Sequence, residues 1–163
     1  MLKYVDAKVV FAEIPDEITL AISISGCPCK CKGCHSSYLA EDIGFVLAPA
    51  TLRGLLLRNK GVTCVAFMGG DAEPKMINGL AKWMRREEFS HIKVAWYSGR
   101  QEIPKEIDLW NFDYIKVGPY IEEKGPLTSR ETNQRFYRVW HFTNGRSELI
   151  DTTHKFWKHE TKD

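Results

Sequence analysis

Four of the five cysteines in this 163-residue chain fall within eight consecutive positions, from Cys27 to Cys34. Three of them, Cys27, Cys31 and Cys34, have the spacing C-x3-C-x2-C. Crowded free thiols oxidise or pair wrongly unless they bind something, so this spacing predicts a metal centre held by one loop. Iron–sulfur clusters are usually held by four thiolates. Three thiolates leave one iron without a protein ligand, and an open coordination position is where a substrate can bind, as at open zinc sites.

Two other interpretations of the cysteine loop stay open on the residues alone. A structural zinc ion would use all four thiolates of the loop, which complete a tetrahedral site; these belong to Cys27, Cys29, Cys31 and Cys34. A disulfide framework has little support, because the number of cysteines is odd and no signal peptide is expected at the start of the chain. The loop favours the iron–sulfur centre over zinc.

Composition indicates an ordinary globular protein. Hydrophobic residues make up 44% of the chain and charged residues 27%, which is typical of globular proteins. A length of 163 residues is sufficient for one domain with a substantial core. The net charge of +2 is small and the basic residues are scattered, so we expect no nucleic-acid partner. No apolar run approaches the length of a membrane span, so we expect no membrane partner and a cytoplasmic location.

The hydrophobic pattern predicts strands that alternate with helices. Ile18, Leu20, Ile22 and Ile24 alternate with small polar residues, and the strand that they predict runs directly into the cysteine loop. Further strands are predicted at residues 4–11, 62–68, 92–96 and 113–117. Helices are predicted to begin at Pro49, at Pro74 and, as a short one, at Pro104. The alternation predicts an α/β fold with a mainly parallel sheet, whose strand ends build the site.

The remaining segments carry weaker signals. Asn144-Gly145 predicts the turn of an appended C-terminal β-hairpin over about residues 135–152. The polar residues 127–135 are expected to form a surface loop, and Trp140 is expected to pack. Cys64 fits a small buried hydrophobe within a strand, and His35 is expected to structure the cysteine loop.

Two further strand ends carry small and acidic residues. Gly69-Gly70-Asp71 follows the apolar run 62–68, and Ser98-Gly99 follows the strand that ends near Tyr97. Two glycines after a buried strand permit backbone conformations and close approaches that side chains would prevent. On the residues alone, the first segment is by default a tight strand-to-helix turn, and the second is equally well a simple loop.

The C-x3-C-x2-C loop after a hydrophobic strand resembles the signature of the radical S-adenosylmethionine (SAM) superfamily. Within that superfamily, residues 26–35 resemble the cysteine loop of the small activases, which install a glycyl radical in a partner protein. Within that branch, Gly118-Pro119-Tyr120 followed by Asn133-Gln134-Arg135 resembles the activating proteins of anaerobic ribonucleoside-triphosphate reductase. The resemblance covers residues 4–135.

This resemblance implies an incomplete, open (β/α) barrel with the cysteine loop at its mouth. It implies a 4Fe–4S cluster bound by Cys27, Cys31 and Cys34, with SAM on the fourth iron. The glycine-rich turn corresponds to the Gly-Gly-Glu motif that receives the SAM ammonium, although its acid here is one methylene shorter. The implied cofactor-binding residues are Gly69, Gly70, Asp71, Ser98 and Gly99.

The implied reaction is reductive cleavage of SAM to a 5′-deoxyadenosyl radical, which abstracts hydrogen from a glycine of the partner reductase. A one-electron donor such as flavodoxin is implied as a second partner. No catalytic residue beyond the cluster ligands is expected, since the cofactors carry the chemistry. Two alternatives remain: a small radical SAM enzyme that acts on a metabolite, as in deazapurine synthesis, and a non-catalytic zinc-binding interaction module.

Overall fold

The computed structural model describes residues 1–34 and 36–157, and the described chain forms eight β-strands and two α-helices. The strands are β1 (Lys3–Val10), β2 (Thr19–Ile24), β3 (Phe45–Val46), β4 (Cys64–Met68), β5 (Lys93–Tyr97), β6 (Tyr114–Val117), β7 (Arg135–His141) and β8 (Ser147–Asp151). The helices are α1 (Pro49–Arg58) and α2 (Pro74–Met84). Short 3-10 helices span Ser37–Ala40, Leu109–Asn111 and Thr153–Phe156. The predicted α/β class is confirmed.

All eight strands belong to one sheet, in the order β3-β1-β2-β4-β5-β6-β7-β8. The four central strands β2, β4, β5 and β6 are parallel, whereas the flanking strands pair antiparallel on both sides. The prediction of a mainly parallel sheet is therefore wrong, because only three of the seven pairings are parallel. Antiparallel neighbours need no long crossover connection, and β1 with β2 and β7 with β8 follow each other through short connections.

The two faces of the sheet carry cores of different size. Helices α1 and α2 cover one face, where Leu52, Ile77 and Met84 pack against Leu20 and Phe67. The other face carries a smaller core formed by Ile14, Cys64, Ala66, Ala95, Tyr114 and Phe136. Cys64 is fully buried there, as expected of a small hydrophobe. The smaller residues of this second face leave room above it near the strand ends.

Three local predictions need correction. The helix expected from Pro104 is only the 3-10 helix Leu109–Asn111, capped by the Asp108 carboxylate. In the segment expected to be a surface loop, Thr132 and Gln134 are buried at 3% and 5% exposure. Trp140, expected to pack, is exposed. The C-terminal hairpin is present as β7 and β8, but it extends the sheet through β6 instead of standing apart.

Among the described residues, no helix has the length and apolar character required to cross a membrane.

A cluster of polar side chains lies at the N-terminal ends of the parallel strands. The buried Glu17 carboxylate accepts hydrogen bonds from Lys93, at 2.6 Å, from Tyr114, at 2.9 Å, and from the Thr63 hydroxyl. Burial alone would raise the pKa of Glu17, but the bonds from these partners and the Lys93 charge hold it below the usual 4.5. The charged carboxylate thus ties β2 to β4, β5 and β6.

Glu17→Gln is expected to lower the free energy of unfolding by about 1–2 kcal/mol at neutral pH, because bonds to a charged acceptor are weakened. A carboxyl group with a lowered folded-state pKa stabilises above its unfolded pKa, and this is lost as pH falls through the folded-state value. The difference in free energy of unfolding between wild type and Glu17→Gln, measured by urea titration, should therefore become smaller as the pH is lowered from neutral to about 3. Glu106→Gln, at an exposed position, is the control. A gap that stays constant with pH would contradict the role of the Glu17 charge.

Candidate functional site

The sequence-predicted segments meet at the C-terminal edge of the four parallel strands. The cysteine loop follows β2, Gly69-Gly70-Asp71 follows β4, and Ser98-Gly99 follows β5. The strands are in level register, with Ile22 opposite Phe67 and Phe67 opposite Trp96, so that their ends stand side by side. This edge is where parallel α/β folds build their sites.

Three cysteines of the loop line one small cavity. Cys27, Cys31 and Cys34 enclose about 270 Å³ together with Lys30 and the small residues Ser36, Ser37 and Ala40. The loop is held by backbone bonds, in which the Cys27 N–H donates to Leu39 O at 2.8 Å and the Cys34 N–H donates to Cys31 O at 3.2 Å. The thiols are free and partly exposed. The three cysteines of the C-x3-C-x2-C spacing thus border one common space.

Cys29 lies beside Asp71 and not on the wall of this cavity. It is not among the residues that line this cavity, and its Sγ lies 3.6 Å from Asp71 Oδ2. A Cβ on Gly99 would stand 2.7 Å from the same sulfur, so that only glycine permits this approach. Burial, followed by repulsion from Asp71 and the neighbouring thiolates, raises the pKa of Cys29 to about 12. The thiol therefore stays protonated in the metal-free loop.

Asp71, Ser98 and Gly99 contact one another directly. Asp71 is only 1% exposed, and its carboxylate accepts bonds from the Ser98 hydroxyl and, at 3.0 Å, from the Gly99 N–H. The Arg100 guanidinium donates to the Asp71 backbone carbonyl at 2.6 Å and lies 4.0 Å from the carboxylate. These donors orient the acid and offset its charge in a buried position.

Gly69 and Gly70 are required by the fold itself. Both have positive φ, +111° and +85°, and a Cβ on Gly70 would stand 2.5 Å from Ile77 Cδ1. The Gly69 carbonyl accepts a bond from the Trp96 indole N–H at 2.7 Å. This bond links the turn that follows β4 to the side chain of a β5 residue.

No family model, curated protein or solved structure matches this chain. The interpretation of the site therefore depends on its own residues.

A second, larger cavity adjoins the cysteine loop. It encloses about 820 Å³ on the less covered face of the sheet, and its walls include Phe11, Met68, Tyr97, Leu127 and Phe156. Cys34 and Ser36 line both this cavity and the smaller one. A centre bound by the loop would therefore lie beside a space of the size that cofactor and ligand sites have.

Lys116 is a residue of this site that the sequence interpretation missed. Its Nζ lies on the wall of the larger cavity and donates to Ser98 O at 3.0 Å and to Gly118 O at 2.9 Å. Burial lowers the pKa of Lys116 to about 8, although Asp71 and three loop cysteines oppose the shift. The available signal was a lysine inside an otherwise apolar strand.

The segment Asn133-Gln134-Arg135 reaches the same cavity through its middle residue. The Asn133 amide donates to Pro119 O at 3.0 Å, and the buried Gln134 lines the cavity. Arg135 forms an ion pair with Asp151 at 3.5 Å and keeps a partly exposed side chain. His35, which was expected to structure the cysteine loop, lies outside the described residues.

Proposed function

We propose that this protein is a radical SAM activase, built on an incomplete, open (β/α) barrel, that generates a glycyl radical on anaerobic ribonucleoside-triphosphate reductase. The observation that carries the proposal is the shared cavity of Cys27, Cys31 and Cys34, at the sheet edge that also holds Asp71 and Ser98. The free thiols at this spacing fit a cluster that keeps one iron open.

The donor set agrees with a 4Fe–4S cluster on chemical grounds. Cysteine thiolates are the ligands that iron–sulfur clusters take, and three cysteines line this cavity. Cys29 does not line it, and its sulfur lies 3.6 Å from Asp71 Oδ2. When bound, the cluster supplies one electron to SAM, whose cleavage yields the radical that takes hydrogen from the partner glycine. The chain supplies placement and exclusion of water for this chemistry, and no general base is needed.

The residues around the larger cavity suit a zwitterionic cofactor. Lys116 lines this cavity, and its ammonium, which has three N–H donors, forms two hydrogen bonds to backbone carbonyls and would attract an anionic group of the cofactor. The glycine-rich turn that is proposed to receive the ammonium follows Met68, which lines this cavity. The apolar walls at Met68 and Leu127 suit the rest of the molecule.

Anaerobic reconstitution with iron and sulfide tests the proposal. We expect a brown protein that absorbs broadly in the visible region and that, once reduced, converts SAM to 5′-deoxyadenosine and methionine. Mixing with the reductase should then give the electron paramagnetic resonance doublet of a glycyl radical, with flavodoxin as one electron source. A colourless protein that takes up zinc but no iron would overturn the proposal. Turnover of SAM without a radical on the reductase would favour a metabolite substrate.

Arg135→Ala is expected to leave the cluster intact and to lower the yield of glycyl radical. The planar guanidinium suits a carboxylate of the partner reductase, its side chain is 39% exposed, and the preceding residue, Gln134, lines the larger cavity. The measurement is the amplitude of the organic-radical doublet at matched iron content.

Asp151→Asn provides the matched control, because it weakens the same ion pair and keeps the guanidinium. An equal loss of radical in both variants would assign the effect to the stability of the hairpin. If Arg135→Ala gave as much glycyl radical as wild type, Arg135 would have no role in activation of the reductase.

A further inference from the structure

We infer that the cysteine loop contains a second metal site, formed by Cys27, Cys29 and Asp71, which takes a single thiophilic divalent cation of the Zn²⁺ class. The Sγ atoms of the two cysteines and a carboxylate oxygen of Asp71 all lie within 4.8 Å of one another. Thiolate and carboxylate are both ordinary zinc ligands. This set differs from the three cysteines that share the small cavity, and the two sets have Cys27 in common.

The distances suit a tetrahedral ion. With Zn–S near 2.3 Å and Zn–O near 2.1 Å, tetrahedral ligands stand about 3.6–3.8 Å apart. The observed separation of Cys29 Sγ and Asp71 Oδ2 is 3.6 Å. Cys27 needs only a small side-chain adjustment to meet the same ion, because its sulfur already lies within 4.8 Å of both ligand atoms. A water molecule would complete the fourth position.

The acid of this site is held in place before any ion binds. Asp71 is nearly completely buried, and the Ser98 hydroxyl and Gly99 N–H orient its carboxylate. Outer-shell donors of this kind fix ligand geometry at metal sites. Gly99 also leaves the space that the Cys29 sulfur occupies. The approach of Cys29 to the acid is therefore part of the packing between the loop and β5.

The charge around the site favours a divalent ion. Two thiolates and one carboxylate carry three negative charges, and a divalent ion leaves one, which Arg100 offsets from 4.0 Å. Among the described residues, Cys31 and Cys34 do not join this group, so the four-cysteine zinc site is a separate arrangement.

Sharing of Cys27 makes the two metal states exclusive, a consequence that rests on the proposed function. A loop that holds zinc through Cys27 and Cys29 cannot complete the three-cysteine set for iron. Zinc would therefore keep the protein in a form that lacks the iron centre until the ion is removed.

Zinc affinity of the metal-free protein is measured by competition with a chromophoric chelator. In a second measurement Co²⁺ replaces Zn²⁺, and the intensity of the thiolate-to-cobalt charge-transfer band reports the number of thiolate ligands. Cys29→Ala and Cys27→Ala should each weaken zinc binding by at least tenfold and remove one thiolate from the Co²⁺ spectrum. Cys31→Ala should stay within about threefold of wild type, because its sulfur is outside the set. Asp71→Asn should also weaken binding by at least about tenfold, because loss of a direct ligand should cost no less than the roughly 10–100-fold typical of an outer-shell partner. Circular dichroism checks the fold of this variant.

Equal losses in Cys29→Ala and Cys31→Ala would overturn the site in favour of four-cysteine ligation. Zinc binding by Cys29→Ala as tight as by wild type would overturn it altogether. Iron uptake after zinc loading tests whether the two metals exclude each other. Zinc-loaded wild type should take up much less iron than zinc-free wild type, whereas Cys29→Ala should take up nearly as much iron with zinc as without it. Equal iron uptake by the two zinc-loaded proteins would overturn the exclusion. Iron uptake and SAM cleavage by zinc-free wild type test the proposed function separately, since their failure leaves the zinc measurements unaffected.

Discussion

Alanine at Cys27, Cys31 or Cys34 is expected to abolish the iron–sulfur centre and SAM cleavage, whereas Cys29→Ala is expected to retain both. The first three cysteines share one cavity of about 270 Å³, while the Cys29 sulfur lies beside Asp71. A cluster with only two protein thiolates loses the ligation that holds it, so each of the three variants should lose nearly all bound iron. Iron, sulfide and 5′-deoxyadenosine are measured after anaerobic reconstitution in the absence of zinc.

Cys64→Ala is the control for removal of a thiol elsewhere, because Cys64 lies fully buried in β4. It should bind iron as wild type does. Loss of the centre in Cys29→Ala together with retention in Cys27→Ala would show that the ligand assignment is wrong. Loss in all four loop variants would instead indicate that the four cysteines act as one set.

Gly70→Ala is expected to destabilise the protein by about 2–4 kcal/mol. A residue with a Cβ costs about 1–2 kcal/mol in left-handed backbone, and Gly70 has φ +85°. The added methyl group would also stand 2.5 Å from Ile77 Cδ1 in the core beneath α2, and overpacking of this kind typically costs 1–3 kcal/mol. Urea unfolding of the metal-free protein gives the change in free energy directly.

Gly79→Ala is the matched control, since it makes the same substitution inside α2 with no atom within 4 Å of the new Cβ. It should stabilise the protein by about 0.5–1 kcal/mol, because glycine is a poor helix former. Equal stability of Gly70→Ala and wild type would show that the turn between β4 and α2 tolerates a side chain.

The sequence alone predicted which segments form the site. Period-two and buried apolar runs located β2, β4, β5 and β6, and a strand predicts where its C-terminal end lies. The glycine and acidic residues after those strands could then be assigned to one sheet edge, because parallel strands end side by side. Asp71, Ser98 and Gly99 do meet there. The spacing of the cysteines likewise predicted a grouping that Cys27, Cys31 and Cys34 show around their cavity.

Only the tertiary structure decided how these segments use their side chains. Sequence spacing treats Cys29 as one more loop thiol, but packing against Gly99 turns its sulfur to Asp71. The burial of Gln134 and the position of Lys116 on the cavity wall depend on which strands flank β6. The Asn144-Gly145 turn predicted the antiparallel pairing of β7 with β8. The antiparallel pairing of β1 with β2 and β3, and of β7 with β6, was inaccessible, because an apolar strand pattern contains no information on the direction of its neighbour. Such features arise from contacts between residues far apart in the chain, and no local pattern encodes them.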